Sequence, residues 1–560
     1  MNNNLDRPFY YLENFAFVLD WVKQRYGDLL DAEENAFLAQ FEALPETARG
    51  LLVRMVMRKG SIFKTTKLQY DEIGDTRQVL LPLVAAGLVE ADPVLSLAQL
   101  YALLTRNEFA GALGLGGARA ARKVELFELA NADEPEARRF SLWCGALDEQ
   151  AWELKIDGLC DRFRLMFFGN LYQDWSEFVL SDLGIFSYEK VEFSLASRAF
   201  HSRADIDFYL HCHACRERFH AGELEHDDAE SIVAGLRDIE NDLYAYDNDN
   251  RWLQDRRSRL LFQIAQRHEQ LEQHAAALQA YARSAYPGAR LRRIRILEKE
   301  RRIAEALALA QEALLAPENA SESQHLERSL PRLHRKSGLP RPPPAARLPV
   351  TETHLVLPQP TEAFYVEEVA RAHYAQADAA SQVYYVENGL INSLFGLLCW
   401  DAIFHAVPGA FFHPFQSGPA DLHGADFSKV RAAQFEACLN QLENEAYRDT
   451  ILRNFARKTG LQSPFVFWSM LDEDLLMLAL DCMPAKHLAH WFARILQDIA
   501  ANRTGFPDLI QFWPQERRYR MIEVKGPGDR LQDNQLRLID FAQSHGMPLE
   551  VCYIAWQESA

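Results

Sequence analysis

Near the carboxyl end, residues 507 to 526 read "PDLIQFWPQERRYRMIEVKG": Asp508 opens one apolar run, and Glu523 and Lys525 interrupt the next. Both runs read as buried strands. Strand alternation puts Tyr519, Met521, Glu523 and Lys525 on one face and Arg520, Ile522 and Val524 on the other, so the acid and the cation project side by side. The linking "PQERR" is short enough for a hairpin-like pairing that brings Asp508 near Glu523. Two carboxylates and an ammonium group would then share one small volume. Such groups are very costly to bury unpaired, and the arrangement predicts a divalent cation between the acids. Hard oxygen ligands favour Mg2+ or Mn2+.

Other elements must bring further groups to this point. Glu387 shares helical spacing with Ile391, Leu394 and Leu398, which predicts a third carboxylate in the first turn of a helix whose stripe faces the core. Gln535 lies on the helix face of Leu531, Leu538 and Ala542 and is expected to reach the same cleft. Around them the pattern is α/β: the apolar helix "ENGLINSLFGLLCWDAIF", more helices, the two strands, a further helix and a last strand "PLEVCYIAW". Upstream, Ser337 to Pro360 is too rich in proline for a helix or a central strand and is expected to be an extended linker.

The first 330 or so residues are mainly helical in periodicity. Thr65 to Asp92 reads as two short amphipathic helices joined by a turn, ending like a winged-helix unit, with Lys64 and Lys67 among the cations at its entrance. In Leu95 to Ala130 an apolar helix, a Gly-rich turn and a helix beginning with Arg119, Arg122 and Lys123 resemble a SAP module, whose basic helix start suits phosphate. From Asp255 to Leu333 an echo with a period of about 30 approaches that of tetratricopeptide repeats. Between its two copies lies "RLRRIRILEKERR", the densest positive cluster. Neighbouring acids are expected to neutralise part of it, leaving side chains such as Arg292 and Arg293 to track a nucleic-acid strand. "HCHAC", His211 to Cys215, has ligand spacing but no matching second pair, so no zinc site is expected. None of the Gly-rich turns carries a phosphate-loop lysine, which argues against an NTPase.

With 560 residues, 48% of them hydrophobic, the chain is too long for one core and too apolar for disorder. Its net charge of −19 repels polyanions in bulk, so any nucleic-acid binding must use local basic patches. The eight cysteines are scattered, which suits reduced thiols in a cytosolic compartment. The opening lacks a secretory pattern, and no apolar run approaches a membrane span; a cytoplasmic protein without membrane contact is expected.

Asp, about 14 residues, then Glu-x-Lys on a strand, with a helical Glu upstream, resembles the PD-(D/E)XK nuclease pattern. "GFPDLIQFW" with "MIEVKGPGDRLQDNQ" is similar to its VRR-NUC branch, in which Gly-Pro after the lysine, Asp529-Arg530 and Gln535 extend the motif. "VRMVMRKGSIFKTTKLQYDEI", "RFRLMFFGNLYQDWSEFVLSDLG" and "LFGLLCWDAIF" resemble the Fanconi anaemia-associated nucleases, so the resemblance covers nearly the whole chain. No N-terminal ubiquitin-binding zinc finger of the kind found in the larger eukaryotic members is expected, and the chain looks like a bacterial form.

The resemblance implies a multidomain, mainly α N-terminal region followed by an α/β nuclease domain with a central mixed sheet flanked by helices. The expected divisions are 1–92 winged-helix-like, 93–195 SAP-like, 196–336 TPR-like repeats, 337–360 linker and 361–560 nuclease. Asp508, Glu523 and Glu387 match the metal-binding acids, with the Val524 carbonyl a further ligand and Lys525 the catalytic lysine. Asp529, Arg530 and Gln535 are expected to shape the pocket or touch phosphate, and Arg503 is a candidate phosphate contact. The implied activity is metal-dependent, structure-selective DNA hydrolysis of the phosphodiesterase I type: 5′ flap cleavage and 5′ to 3′ exonuclease action in interstrand crosslink repair. Flapped or branched DNA is the expected partner, with protein partners on the repeats, a monomer off DNA and nucleoid association when acting. A Holliday-junction resolvase and a non-catalytic repair scaffold are the alternatives.

Overall fold

The computed structural model describes residues 7–115, 121–132, 135–145, 147, 149–173, 175, 186–225, 228–343, 349–360 and 365–557. The chain divides into two compact units, Met1–Ser187 with Phe200–Ile206, and Tyr188–Ala199 with Asp207–Ala560.

In the first unit, helices Glu46–Val56 and Thr76–Ala85 are joined through strand β1 (Ile62–Lys64) and a 3-10 turn, Thr65–Lys67. Two helices were expected between Thr65 and Asp92; there is one. Trp152 donates its indole N–H to Thr65 Oγ1, and the Thr65 amide bonds the Gln150 carbonyl, so this segment is tied to a strand rather than continued as a helix. Gly74, at φ +75°, turns the chain, and Asp75 caps the helix that follows. Strand β2 (Val89–Ala91) ends the segment.

Next come β3 (Val94–Leu95), helices Leu97–Leu103, Arg106–Ala112 and Lys123–Asn131, and β4 (Arg138–Arg139). Capping boxes at Ser96/Gln99 and Thr105/Glu108 start two of these helices, and Leu100, Phe109, Leu126, Phe140 and Trp143 form their common core. Strand β5 (Ala151–Leu154) then returns to lie antiparallel between β1 and β2. The three-stranded sheet that begins before residue 92 is therefore completed by residues beyond the SAP-like helices, and both segments lie in one compact unit.

The second unit contains successive helices Arg251–Gln270, His274–Arg283, Ala289–Lys299, Ile303–Leu315 and Ala320–Lys336, each packed on the next. Buried Ala277, Ala280, Ala306, Ala310 and Ala313 let the backbones approach closely, which is the physical content of the alanine echo in the sequence. Strand β6 (Glu352–Leu357) follows and pairs in parallel with β10 (Leu549–Trp556). The linker expected over 337–360 is thus a strand in its last part. Glu352 to Leu357 contain no proline, and an edge strand needs a partner on one side alone.

The sheet order is β6-β10-β9-β8-β7, with β7 at Gln382–Tyr385, β8 at Leu509–Trp513 and β9 at Arg518–Lys525. β6, β10 and β9 are parallel; β8 is antiparallel to both β9 and β7. Leu509, Ile522, Val524 and Cys552 bury one face with Ala370 and Tyr374. Ile510, Phe512, Tyr519, Met521 and Val551 bury the other against Leu390, Leu394, Trp491 and Phe492. Double coverage explains why β9 is buried from Met521 to Lys525 and why a charge on it stands out. Among the described residues no helix is long and apolar enough to cross a membrane, and all eight cysteines are free and buried.

Candidate active site

The β8–β9 connection is a tight one. Pro514–Glu516 forms a 3-10 turn, Arg517 takes φ +49°, and the Arg518 guanidinium lies 3.5 Å from the Trp513 ring centroid. This sets Leu509 opposite Ile522, and one step further along the ladder Asp508 meets Glu523. The Asp508 carboxylate accepts the Val524 N–H at 2.8 Å, while its carbonyl accepts the amides of Val386 (2.8 Å) and Glu387 (3.0 Å). One aspartate thereby joins the ends of three segments.

Glu523 is 2% exposed and Lys525 8%. The Lys525 ammonium donates to Glu523 Oε1 at 2.6 Å, and Gln535, from helix Asp533–Ser544, donates to the same oxygen at 2.5 Å. Burial pushes the Asp508 carboxyl up to about 6 against the opposing Val524 N–H, and nearby Glu367 and Glu387 add to the rise. Burial, then the charge of Asp508, pushes Glu523 up to about 7 despite its bond to Lys525. Two acids held side by side at that cost, with a main-chain carbonyl on the strand between Glu523 and Lys525, make an oxygen-rich donor set suited to a hard divalent cation.

Glu387 departs from expectation. The helix starts at Gly389, and Glu387 precedes it at φ +33°, exposed rather than turned into the core. The two amide bonds to Asp508 hold this segment against β8 and prevent the helix from extending back over it. Its carboxylate receives the Tyr385 hydroxyl at 2.7 Å and the Asn388 amide at 3.1 Å. It stands at the mouth of the site, and among the described residues no three His, Cys, Asp or Glu side chains already close around one point. Glu367, in helix Val366–Ala377, is a further acid whose charge reaches Asp508 and which sequence reasoning missed. A Cβ on Gly526 would meet Val366 at 3.3 Å and Asp529 at 3.2 Å, so the glycine after Lys525 eases the close approach of this helix.

Asp529 accepts the Gly526 N–H at 3.0 Å and shapes that turn; Arg530 is exposed. Arg503 does not present a free guanidinium. It donates to the Pro464 carbonyl at 2.6 Å and packs over Phe465, and burial pushes its pKa down.

The basic candidates divide similarly. Lys64 is buried and bonded to both carboxylate oxygens of Glu108 at 2.6 and 2.7 Å, so its charge is already paired, whereas Lys67 is exposed. Arg122 is exposed but paired with Glu125; Lys123 donates to the Tyr101 carbonyl and sits over that ring. Arg119 lies outside the described residues. Arg292 is 3.4 Å from Glu269, and Arg293 is half-buried on the same helix. In "HCHAC" the His211 ring is engaged with the Asp242 carbonyl, and Cys212 and Cys215 are buried in a helix.

A mixed five-stranded sheet that carries Asp508 at the mouth of one strand and Glu523-x-Lys525 on the next defines a nuclease domain of the PD-(D/E)XK type. Residues 9–90 match the FAN1 HTH domain, 94–143 the Fanconi anemia-associated nuclease SAP domain and 442–556 the VRR-NUC domain. A Fanconi-associated nuclease 1 homolog of Pseudomonas aeruginosa is 55% identical over 99% of this chain and 97% of its own length, and one of Arabidopsis thaliana is 24% identical over 97% and 67%. The chain belongs to the Fanconi-associated nuclease 1 family. Crystal structures of paFAN1 bound to 5′ flap DNA with a gap superpose with TM-scores of 0.88 (2-nt flap) and 0.86 (1-nt flap), at 54% and 53% identity, covering 99% of this chain and all of theirs.

Proposed function

We propose that this protein hydrolyses phosphodiester bonds in branched DNA, cutting 5′ flaps near the junction of single and double strands and degrading 5′ to 3′, in interstrand crosslink repair. The observation that carries this reading is the meeting of Asp508, Glu523 and Lys525 across the β8–β9 register, in a chain similar along its length to a relative crystallised on a 5′ flap. Asp508, Glu523, the Val524 carbonyl and Glu387 would hold Mg2+ or Mn2+. A cation bound there supplies positive charge to the phosphate and acidifies water.

The chain's own groups do the remainder. Lys525, fixed by Glu523, presents an ammonium to a non-bridging phosphate oxygen, where it stabilises the charge that grows in the transition state and orients the attacking water. Gln535 clamps the Glu523 oxygen that Lys525 uses, so the acid keeps one rotamer. Burial of the pair excludes bulk water and strengthens each of these interactions.

End-labelled 5′ flap, splayed-arm and four-way junction DNA, incubated with protein in Mg2+ or Mn2+, test the reading. The flap is expected to be cut fastest, and Asp508→Ala and Lys525→Ala to abolish cutting. Preference for the four-way junction, together with a dimer in solution mass measurements, would replace it with a resolvase. Cutting that survives both substitutions would remove the site.

A further inference from the structure

We infer that Tyr385 is a positioning residue for Glu387, holding that carboxylate at the mouth of the acid pair so that it is poised to join a divalent cation there; this rests on the nuclease reading above. Tyr385 is the last residue of β7 and faces Leu509 across the ladder, one step from Asp508. Its hydroxyl donates to Glu387 Oε2 at 2.7 Å, and the Asn388 side chain donates to Oε1 at 3.1 Å. Asn388 is anchored in turn, since its own oxygen accepts the Phe506 N–H at 3.1 Å.

Three features make this more than a surface hydrogen bond. Glu387 sits at φ +33°, a conformation that a residue with a side chain adopts only under constraint from its surroundings. The constraint is visible: the amides of Val386 and Glu387 both bond the Asp508 carbonyl, so the backbone of one acid is built onto the backbone of another. The carboxylate is also exposed, and an exposed glutamate without tethers would spread over many rotamers. Two donors remove that freedom, and each oxygen retains a lone pair for a cation. Groups that orient a ligand in this way commonly alter metal affinity about 10–100-fold when removed.

Tyr385 is 47% exposed, so Tyr385→Phe removes the hydroxyl without opening a cavity. Mn2+ binding to the full chain, without DNA, is followed by calorimetry for wild type, Tyr385→Phe, Glu387→Gln and the double variant. Tyr385→Phe is expected to weaken Mn2+ about tenfold, Glu387→Gln at least as much, and the double variant no more than Glu387→Gln alone, because the tyrosine acts through the glutamate. Wild-type affinity in Tyr385→Phe beside a weakened Glu387→Gln overturns this inference and leaves the nuclease reading standing. A double variant weakened by a further full tenfold places the effect of Tyr385 elsewhere and also overturns it. Wild-type affinity in Glu387→Gln removes Glu387 from the cation site altogether, a failure of the underlying assignment.

Discussion

The acids at the β8–β9 step and the cations of the helical regions are placed under opposite conditions. Asp508 and Glu523 are like charges set side by side. One has the Val524 N–H as its donor, and the other has Lys525 and Gln535. The basic residues, by contrast, are abundantly supplied with partners: Lys64 with Glu108, Arg122 with Glu125, Arg290 with Glu322, Arg302 with Glu305. In a chain of net charge −19, acids are in excess, and many arginines and lysines find one. An interior charge left under-compensated therefore marks chemistry, whereas a run of surface cations marks DNA contact only where the partners run out.

The sharpest break between the two regions comes from neutralising one acid. Asp508→Asn keeps the shape of the side chain and removes the charge that a cation needs, so cleavage of a labelled flap is expected to fall by about 10³-fold or more. The metal-free protein should not lose stability, because the substitution relieves repulsion with Glu523. Loss of activity accompanied by an equal drop in melting temperature would mean that Asp508 serves the fold.

Proton linkage gives the next test. Both acids have folded-state pKa values above their ordinary range, about 6 and about 7, so between roughly pH 4 and pH 7 the folded state binds more protons than the unfolded one. Their contribution to stability is therefore present at low pH and lost as pH rises through that window. Without metal, the difference in melting temperature between Asp508→Asn/Glu523→Gln and wild type should grow in the variant's favour from pH 5 to pH 8. Added Mn2+ should stabilise wild type more at pH 8 than at pH 5, since the ligands must be ionised to bind it.

Lys64 and Lys67 extend the comparison to the cations. Lys64→Ala leaves Glu108, which is partly exposed, without its counter-charge, and should cost about 1–2 kcal/mol of stability after allowance for solvent screening. The salt dependence of DNA binding should not change. Lys67→Ala is expected to do the reverse: no change in melting temperature, and a slope of log affinity against log salt that is shallower by up to about one. Equal behaviour of the two would erase the distinction between paired and available cations.

What the sequence made legible follows from this same division. Strand period and a short connection fix which residues face one another, so the meeting of Asp508, Glu523 and Lys525 could be read from spacing alone, and Gln535 could be read from one helix face. Glu387 could not. Its spacing to Ile391 and Leu394 is helical, but its backbone is captured by Asp508, which is 121 positions away, and such a contact leaves no periodic signal. The partners of Lys64 and Arg503 were hidden for a related reason: a cation's sequence neighbours do not reveal that Glu108 or the Pro464 carbonyl will meet it. β5 and β6 are short strands paired with distant segments, so neither strand shows in the local pattern of the sequence.

The helix Ala289–Lys299 gives the finest version of the test, because Arg292 and Arg293 are adjacent and chemically identical. Arg292 points toward Glu269 at 3.4 Å, a loose and half-exposed pair, while among the described residues no acid pairs with Arg293. A pair of that kind is worth at most about 1 kcal/mol, so Arg292→Ala should barely change stability. It should also change DNA affinity little, since part of the charge is already neutralised. Arg293→Ala should weaken flap binding a few-fold at low salt and reduce the salt slope by up to about one, without altering cleavage at saturating DNA. If both substitutions reduce the slope equally, the Glu269 contact does not compete with phosphate, and local pairing fails as a guide to which cations on this helix are free to bind DNA.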